Sequence, residues 1–137
     1  MRLIIDTSVA IAWTATQQST PLSVAASIAT VEDGALVPFH FQLELTNALL
    51  ALERRRRLTQ SAVDHSLAMY DDLDLEIDGI DFEEIRISTF ALARHYQLTT
   101  YDAVYLELAL RVQLPLATRD EALATAAAKA GAKLFAP

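Results

Sequence analysis

Four carboxylates, Asp6, Glu44, Asp102 and Asp120, stand where a charge is costly or conspicuous. Asp6 closes the apolar run Leu3-Ile4-Ile5, Glu44 interrupts an otherwise apolar helical pattern, and Asp102 and Asp120 each mark a helix start. Gathered into one pocket, they would repel: two unit charges about 5 Å apart cost roughly 3 kcal/mol at an effective dielectric of about 20. Such a cluster protonates unless a cation compensates it. Carboxylate oxygens suit Mg²⁺ or Mn²⁺ rather than zinc or copper. A divalent cation held there would polarise a phosphoryl oxygen and lower the pKa of an attacking water, the chemistry of phosphodiester hydrolysis.

Each acid also has an ordinary local reading. Asp6 can mark a strand end and a turn. Glu44 lies about 60° from the centre of its helix's apolar stripe at 3.6 residues per turn, where a glutamate is normally just solvated. Thr99 with Asp102, and Thr118 with Glu121, make capping-box patterns, and Asp120 can itself be an N-cap. Capping does not exclude metal binding.

The elements that must position these residues follow from apolar periodicity. Leu3–Ile5 reads as a strand buried on both faces. A short helix over residues 9–14 begins at Thr7 or Ser8. Thr20-Pro21 opens a second helix that stops near Asp33-Gly34. Ala35–Val37 is a second buried strand. Residues 39–57 form a long helix with Phe41, Leu45, Ala48 and Leu52 on one face. Thr59 and Gln60 start a helix to about Tyr70, Leu75–Ile77 is an edge-like strand, and residues 82–96 are helical. Thr99 caps a helix over residues 101–112 that is apolar nearly all round and therefore central. Residues 115–117 form a strand, residues 121–130 an alanine-rich helix ended by Gly131, and Lys133-Leu134-Phe135 a last strand. This alternation predicts an α/β domain over residues 1–137, with a parallel sheet covered on both faces. In such sheets ligands bind beyond the carboxyl ends of the strands. Asp6 and Asp120 each follow a strand and share that rim, and Glu44 and Asp102 can point at it.

Composition narrows the classes. Apolar residues make up 53% of the chain, and Gly and Pro are few, which excludes a disordered polypeptide. With no cysteine there is no disulfide framework and no thiolate zinc site. Asp6 arrives too soon after Met1 for a secretory apolar segment, and no 18-residue apolar stretch spans a membrane, so a cytoplasmic protein is expected. The net charge of −7 runs against a high-affinity nucleic-acid binder. Charge is uneven, however: eight carboxylates fall within residues 71–84, while Arg54-Arg55-Arg56-Arg57 is a compact basic run. That run reads as a helix C-terminus complementing the dipole, or as a grip on RNA phosphates.

Taken together, the motifs resemble the PIN domain, and most closely the VapC toxins of type II toxin–antitoxin pairs. Asp6-Thr7-Ser8-Val9 is similar to the family's opening motif, Glu44-Leu45-Thr46-Asn47 to its second, Thr99-Thr100-Tyr101-Asp102-Ala103-Val104-Tyr105-Leu106 to its third, and Thr118-Arg119-Asp120 to its fourth. The resemblance implies a three-layer α/β/α fold with a five-stranded parallel sheet. It also implies an Mg²⁺- or Mn²⁺-dependent endoribonuclease, a homodimer, and a small cognate antitoxin. Carried over by position, Asp6 and Asp102 ligate the metal, Glu44 and Asp120 complete the catalytic pocket, and Ser8, Asn47 and Thr118 orient the acids or their waters. A stand-alone RNA-processing nuclease is the alternative within the family.

Other chemistries fit less well. An aspartyl phosphatase using Asp6 wants a second aspartate two positions on, where Ser8 stands. A receiver-like Mg²⁺ module wants a lysine placed otherwise than Lys129 and Lys133. His40, His65 and His95 share no ligand spacing and read as structural or surface residues. Trp13, Phe39 and Phe41 read as core, or as a groove for an antitoxin helix. Arg119 reads as a solvated residue or a phosphate contact.

Overall fold

The computed structural model describes residues Met1–Pro137. In chain order the elements are β1 (Leu3–Ile5), α1 (Thr7–Ile11), a 3₁₀ turn (Thr16–Gln18), α2 (Pro21–Asp33), β2 (Ala35–Val37), α3 (Phe41–Arg54), α4 (Gln60–Asp71), β3 (Leu75–Ile77), α5 (Phe82–Tyr96), α6 (Thr100–Val112), β4 (Leu116–Ala117) and α7 (Glu121–Ala130). The strands pair in the order β3-β2-β1-β4, all parallel. β1, β2 and β4 are buried along their whole length, as uninterrupted apolar strands must be when both faces are covered. β3 is the edge and is largely exposed.

The strand order carries the functional geometry. From β1 the chain crosses to β2 and on to β3, then returns past β1 to lay down β4. Parallel crossovers are right-handed, so the helices between β1 and β3 lie on one face and those between β3 and β4 on the other. The crossover direction reverses between β1 and β4, which makes their carboxyl ends the topological switch point where α/β sheets bind ligands.

Three expectations are corrected. The sheet has four strands rather than five. Leu134 forms only an isolated parallel bridge to Leu116, held by Leu116 N–H to Lys133 O and Phe135 N–H to Leu116 O, each 2.9 Å. β4 is only two residues long, Pro115 before it has no N–H to extend the ladder, and Lys133 and Leu134 are exposed. α3 is shorter than predicted at both ends: His40 is its N-cap, and Arg56 takes a left-handed φ of 57° that turns the chain out after Arg54. Helix α1 starts at Thr7, as expected, with Asp6 as its N-cap, but ends at Ile11 rather than at Thr14.

α6 is central as expected, with residues 103–109 all buried. Tyr105 and Leu106 from α6 join Phe41 and Leu49 of α3 and the strands in one core.

Gly34 lets α2 turn directly into β2. It adopts φ 74° and ψ 177°, a region essentially reserved for glycine. A Cβ there would stand 2.8 Å from Asp74 Oδ2 and 2.9 Å from its carbonyl oxygen. At Gly131 (φ 83°) a Cβ would meet open space. In urea denaturation, Gly34→Ala is therefore expected to cost over ~2 kcal/mol and Gly131→Ala about 1 kcal/mol. Equal costs would contradict the assigned contact with Asp74.

Candidate metal and phosphodiester site

The register of β1 and β4 builds the centre of the site. Ile5 pairs with Ala117, so the next residues, Asp6 and Thr118, leave the sheet side by side. Asp6 is 5% exposed. Its Oδ1 accepts from Ser8 Oγ at 2.6 Å and from Val9 N–H at 3.1 Å, the second being the α1 cap. Its Oδ2 accepts a short hydrogen bond from Thr118 Oγ1. Ser8 Oγ in turn accepts from Arg119 N–H at 2.8 Å, and Thr118 Oγ1 from Asp120 N–H at 3.0 Å. A carboxylate offers about four acceptor positions. Three are filled by the protein, and one remains on Oδ2.

Burial pushes the Asp6 carboxyl up to about 6. The three hydrogen bonds oppose that shift and the charge of Asp102 adds to it. The site thus holds a carboxylate that the fold orients firmly but does not neutralise.

Glu44 projects from the first turn of α3. Its Oε1 accepts from Tyr105 Oη at 2.7 Å and from Thr7 Oγ1 at 3.4 Å, and lies 3.3 Å from His40 Nε2. Its Oε2 takes no hydrogen bond from the protein. Burial raises the pKa of the Tyr105 phenol, so it stays a proton donor and keeps Glu44 in place.

Asp102 lies in the first turn of α6 and Asp120 at the N-cap of α7. Thr99 caps α6 by accepting from Asp102 N–H at 3.1 Å, but the reciprocal bond of a capping box does not form. Asp120 Oδ1 accepts from Leu123 N–H at 2.9 Å. The Thr118–Glu121 box is absent, because Asp120 rather than Thr118 is the N-cap of α7, and the Thr118 hydroxyl donates to Asp6. Asp102 titrates above the ordinary carboxylate range through burial first, then the charges of Asp120 and Glu44; the Thr99 hydroxyl and His40 partly offset them. The electrostatics therefore couple Asp102 to each of Asp6, Glu44 and Asp120.

No group of three His, Asp or Glu side chains is placed to hold a metal ion by itself. Mg²⁺ does not need one, since one or two carboxylates commonly hold it while it keeps several waters. The open acceptor position on Asp6, the coupled charge of Asp102 and the absence of any sulfur donor fit such a cation.

The remaining expected residues divide clearly. Ser8 and Thr118 touch Asp6, whereas Asn47 is exposed and makes no hydrogen bond. Arg119 is half-buried and held: Nη1 donates to Ser8 O at 2.8 Å and to Gln18 Oε1 at 3.2 Å, tying the Asp120 loop to α1. Arg54-Arg55-Arg56-Arg57 is exposed. Arg54 stands about 15 Å along the helix axis from Glu44, at about 1.5 Å per residue. Phe41 is fully buried, Trp13 is half-buried and donates Nε1–H to Ser23 O at 2.8 Å, and Phe39 is 48% exposed. In the acidic segment, Asp78 pairs with Arg111 at 2.5 Å and Glu76 pairs with Arg2.

Sequence reasoning missed Tyr105 and His40 as neighbours of Glu44. Tyr105 lies three residues after Asp102, on the same helical face, and that spacing was the available signal. His40 precedes Glu44 by four and was open to the same argument. The partnership of Thr7 with Glu44 had no local signal.

Residues 3–129 match the family model of the PIN domain. No curated protein matches the chain. Among solved structures, the chain is similar to the crystal structure of PAE2754 from Pyrobaculum aerophilum, with a TM-score of 0.62 and 17% identity over 92% of this chain and 84% of that one. At that identity the likeness shows the fold alone.

The raised Asp6 carboxyl has a consequence for stability. The folded state holds the proton more tightly than the unfolded chain, where the ordinary value is 3.8. Stability contributed at this position is therefore present at low pH, falls as pH rises towards about 6, and stays lost above it. In EDTA at pH 7.5, Asp6→Asn is expected to be more stable than wild type by ~2 to 3 kcal/mol. The gain should shrink towards zero as the pH falls to about 4. A constant difference across that range, measured by denaturant titration, would rule out a buried charge as its cause.

Proposed function

The chain belongs to the PIN-domain family, and from that premise we propose that it is a divalent-cation-dependent endoribonuclease, the toxin of a type II pair similar to the VapC proteins. PIN domains are nuclease domains and generally use divalent metals. The observation that carries the reading is the buried Asp6 carboxylate at the switch point between β1 and β4, held by three donors with one acceptor position left open; the raised carboxyl of Asp102 supports it.

In this reading Asp6 and Asp102 hold Mg²⁺, for which Mn²⁺ substitutes. When bound, the cation polarises a phosphoryl oxygen and makes water a better nucleophile at neutral pH. The chain's own groups do the rest. Ser8 and Thr118 fix the Asp6 carboxylate so that one acceptor position faces outward. Tyr105 anchors Glu44 through Oε1 and leaves Oε2 to take the proton of an attacking water. Asp120, anchored by Leu123 N–H through Oδ1, adds charge that holds cation and water at the rim. The products are a 3′-hydroxyl and a 5′-phosphate. The toxin role brings a small antitoxin that masks the site, and a homodimer. Motif order and spacing support this subfamily: Asp6-Thr7-Ser8, Glu44 with Asn47, Thr100-Tyr101-Asp102 and Thr118-Arg119-Asp120.

Cleavage of a structured RNA in Mn²⁺ tests the mechanism. Asp6→Ala and Asp102→Asn should each lose at least ~100-fold in rate, and EDTA should abolish the activity. Tyr105→Phe should lose about 10- to 100-fold while staying folded, because it acts only through the position of Glu44. Undiminished cleavage by the Asp6 or Asp102 variant would sink the assignment.

A further inference from the structure

Across His40 from the acids lies a cavity of about 400 Å³, lined by Phe39, His40, Phe82, Thr100, Tyr101 and Val104. Most of its wall is aromatic. Phe39 meets Phe82 edge to face at 5.8 Å between centroids, and the His40 ring lies 5.2 Å from Phe39 and 6.1 Å from Tyr101. Tyr101 is 66% exposed, so packing does not explain its position at the rim. No lysine, arginine or carboxylate lines the cavity.

The cavity and the acidic site share a wall. His40 Nε2 lies 3.3 Å from Glu44 Oε1 and donates to the Tyr101 carbonyl at 3.0 Å, which locks the ring between them. Tyr101 immediately precedes Asp102, and consecutive Cα atoms lie about 3.8 Å apart. A strand whose phosphate reaches Asp102 therefore carries an adjoining base past Tyr101.

Resting on the nuclease reading, we propose that this cavity receives an unpaired nucleobase of the RNA strand being cut, stacked against Tyr101 and Phe39. Uncharged aromatic faces are stacking platforms for any base, and single-stranded RNA is bound through splayed-out bases of this kind. The cavity supplies the affinity that a chain of net charge −7 cannot draw from phosphate contacts. An apolar side chain of a protein partner is the competing occupant, and the test separates the two.

The experiment measures Kd for a fluorescein-labelled single-stranded RNA decamer, and for the same decamer built from abasic ribose, in Ca²⁺. Wild type should bind the base-bearing strand roughly 5- to 100-fold more tightly than the abasic strand. Tyr101→Ala and Phe39→Ala should each lose most of that difference while binding the abasic strand as wild type does. Both residues are exposed, and matching thermal unfolding would show that the variants fold. Equal wild-type affinity for the two strands overturns the proposal. So does a base preference that survives both substitutions, as expected of a cavity that takes a partner's side chain. Base-dependent binding without cleavage in Mn²⁺ would leave the cavity assignment standing and reject the nuclease reading.

Discussion

The structure depends on the cost of burying the Asp6 carboxylate. A charge at 5% exposure is tolerated only where donors meet it. The three donors come from Ser8, Val9 and Thr118, two from the start of α1 and one from the end of β4. The Asp6 side chain is thus at once the N-cap of the first helix and the clasp between two parallel strands. The clasp is incomplete by design of its chemistry: three donors leave a carboxyl that still titrates at about 6. A cation would complete the coordination and lower that value, so the binding of a metal and the ionisation of Asp6 are one linked event.

The other acids are arranged in descending order of constraint. Glu44 is held through one oxygen by a phenol whose own burial keeps it protonated. Asp120 is held through one oxygen by the α7 cap. Asp102 has the least local anchoring and the most charge around it. Beside them, His40 connects Glu44 to Tyr101, so the aromatic cavity is set in position by the residues that fix the acids. The basic run at Arg54 lies about 15 Å along α3 from Glu44.

Much of this was legible because it is local. Uninterrupted apolar runs specified β1, β2 and β4, and Thr20-Pro21, Thr99 and Gly131 marked helix ends through capping chemistry that a short window contains. The order of the strands was less legible, yet it decides that Asp6 and Thr118 are neighbours. Lys133-Leu134-Phe135 has the pattern of a strand, but its partner β4 is too short to pair with more than one residue. The helix at Arg54 ended early because Arg56 adopts a left-handed conformation that no residue type there announces. Asn47 matched a motif and follows Glu44 by three residues on the same helical face, yet its side chain stands exposed and takes no partner. His40 meets Glu44 through the local four-residue spacing of α3, whereas Thr7 and Tyr105 reach it only when α1, α3 and α6 converge.

Mn²⁺ titration followed by electron paramagnetic resonance, with proton release recorded near pH 6, tests most directly whether the acids exist to hold a cation. Saturable binding accompanied by a released proton is expected, with at least ~10-fold weaker affinity in Asp102→Asn and a smaller proton release in Asp6→Asn. Absence of saturable binding at millimolar Mn²⁺, or binding unchanged by both substitutions, would contradict that role.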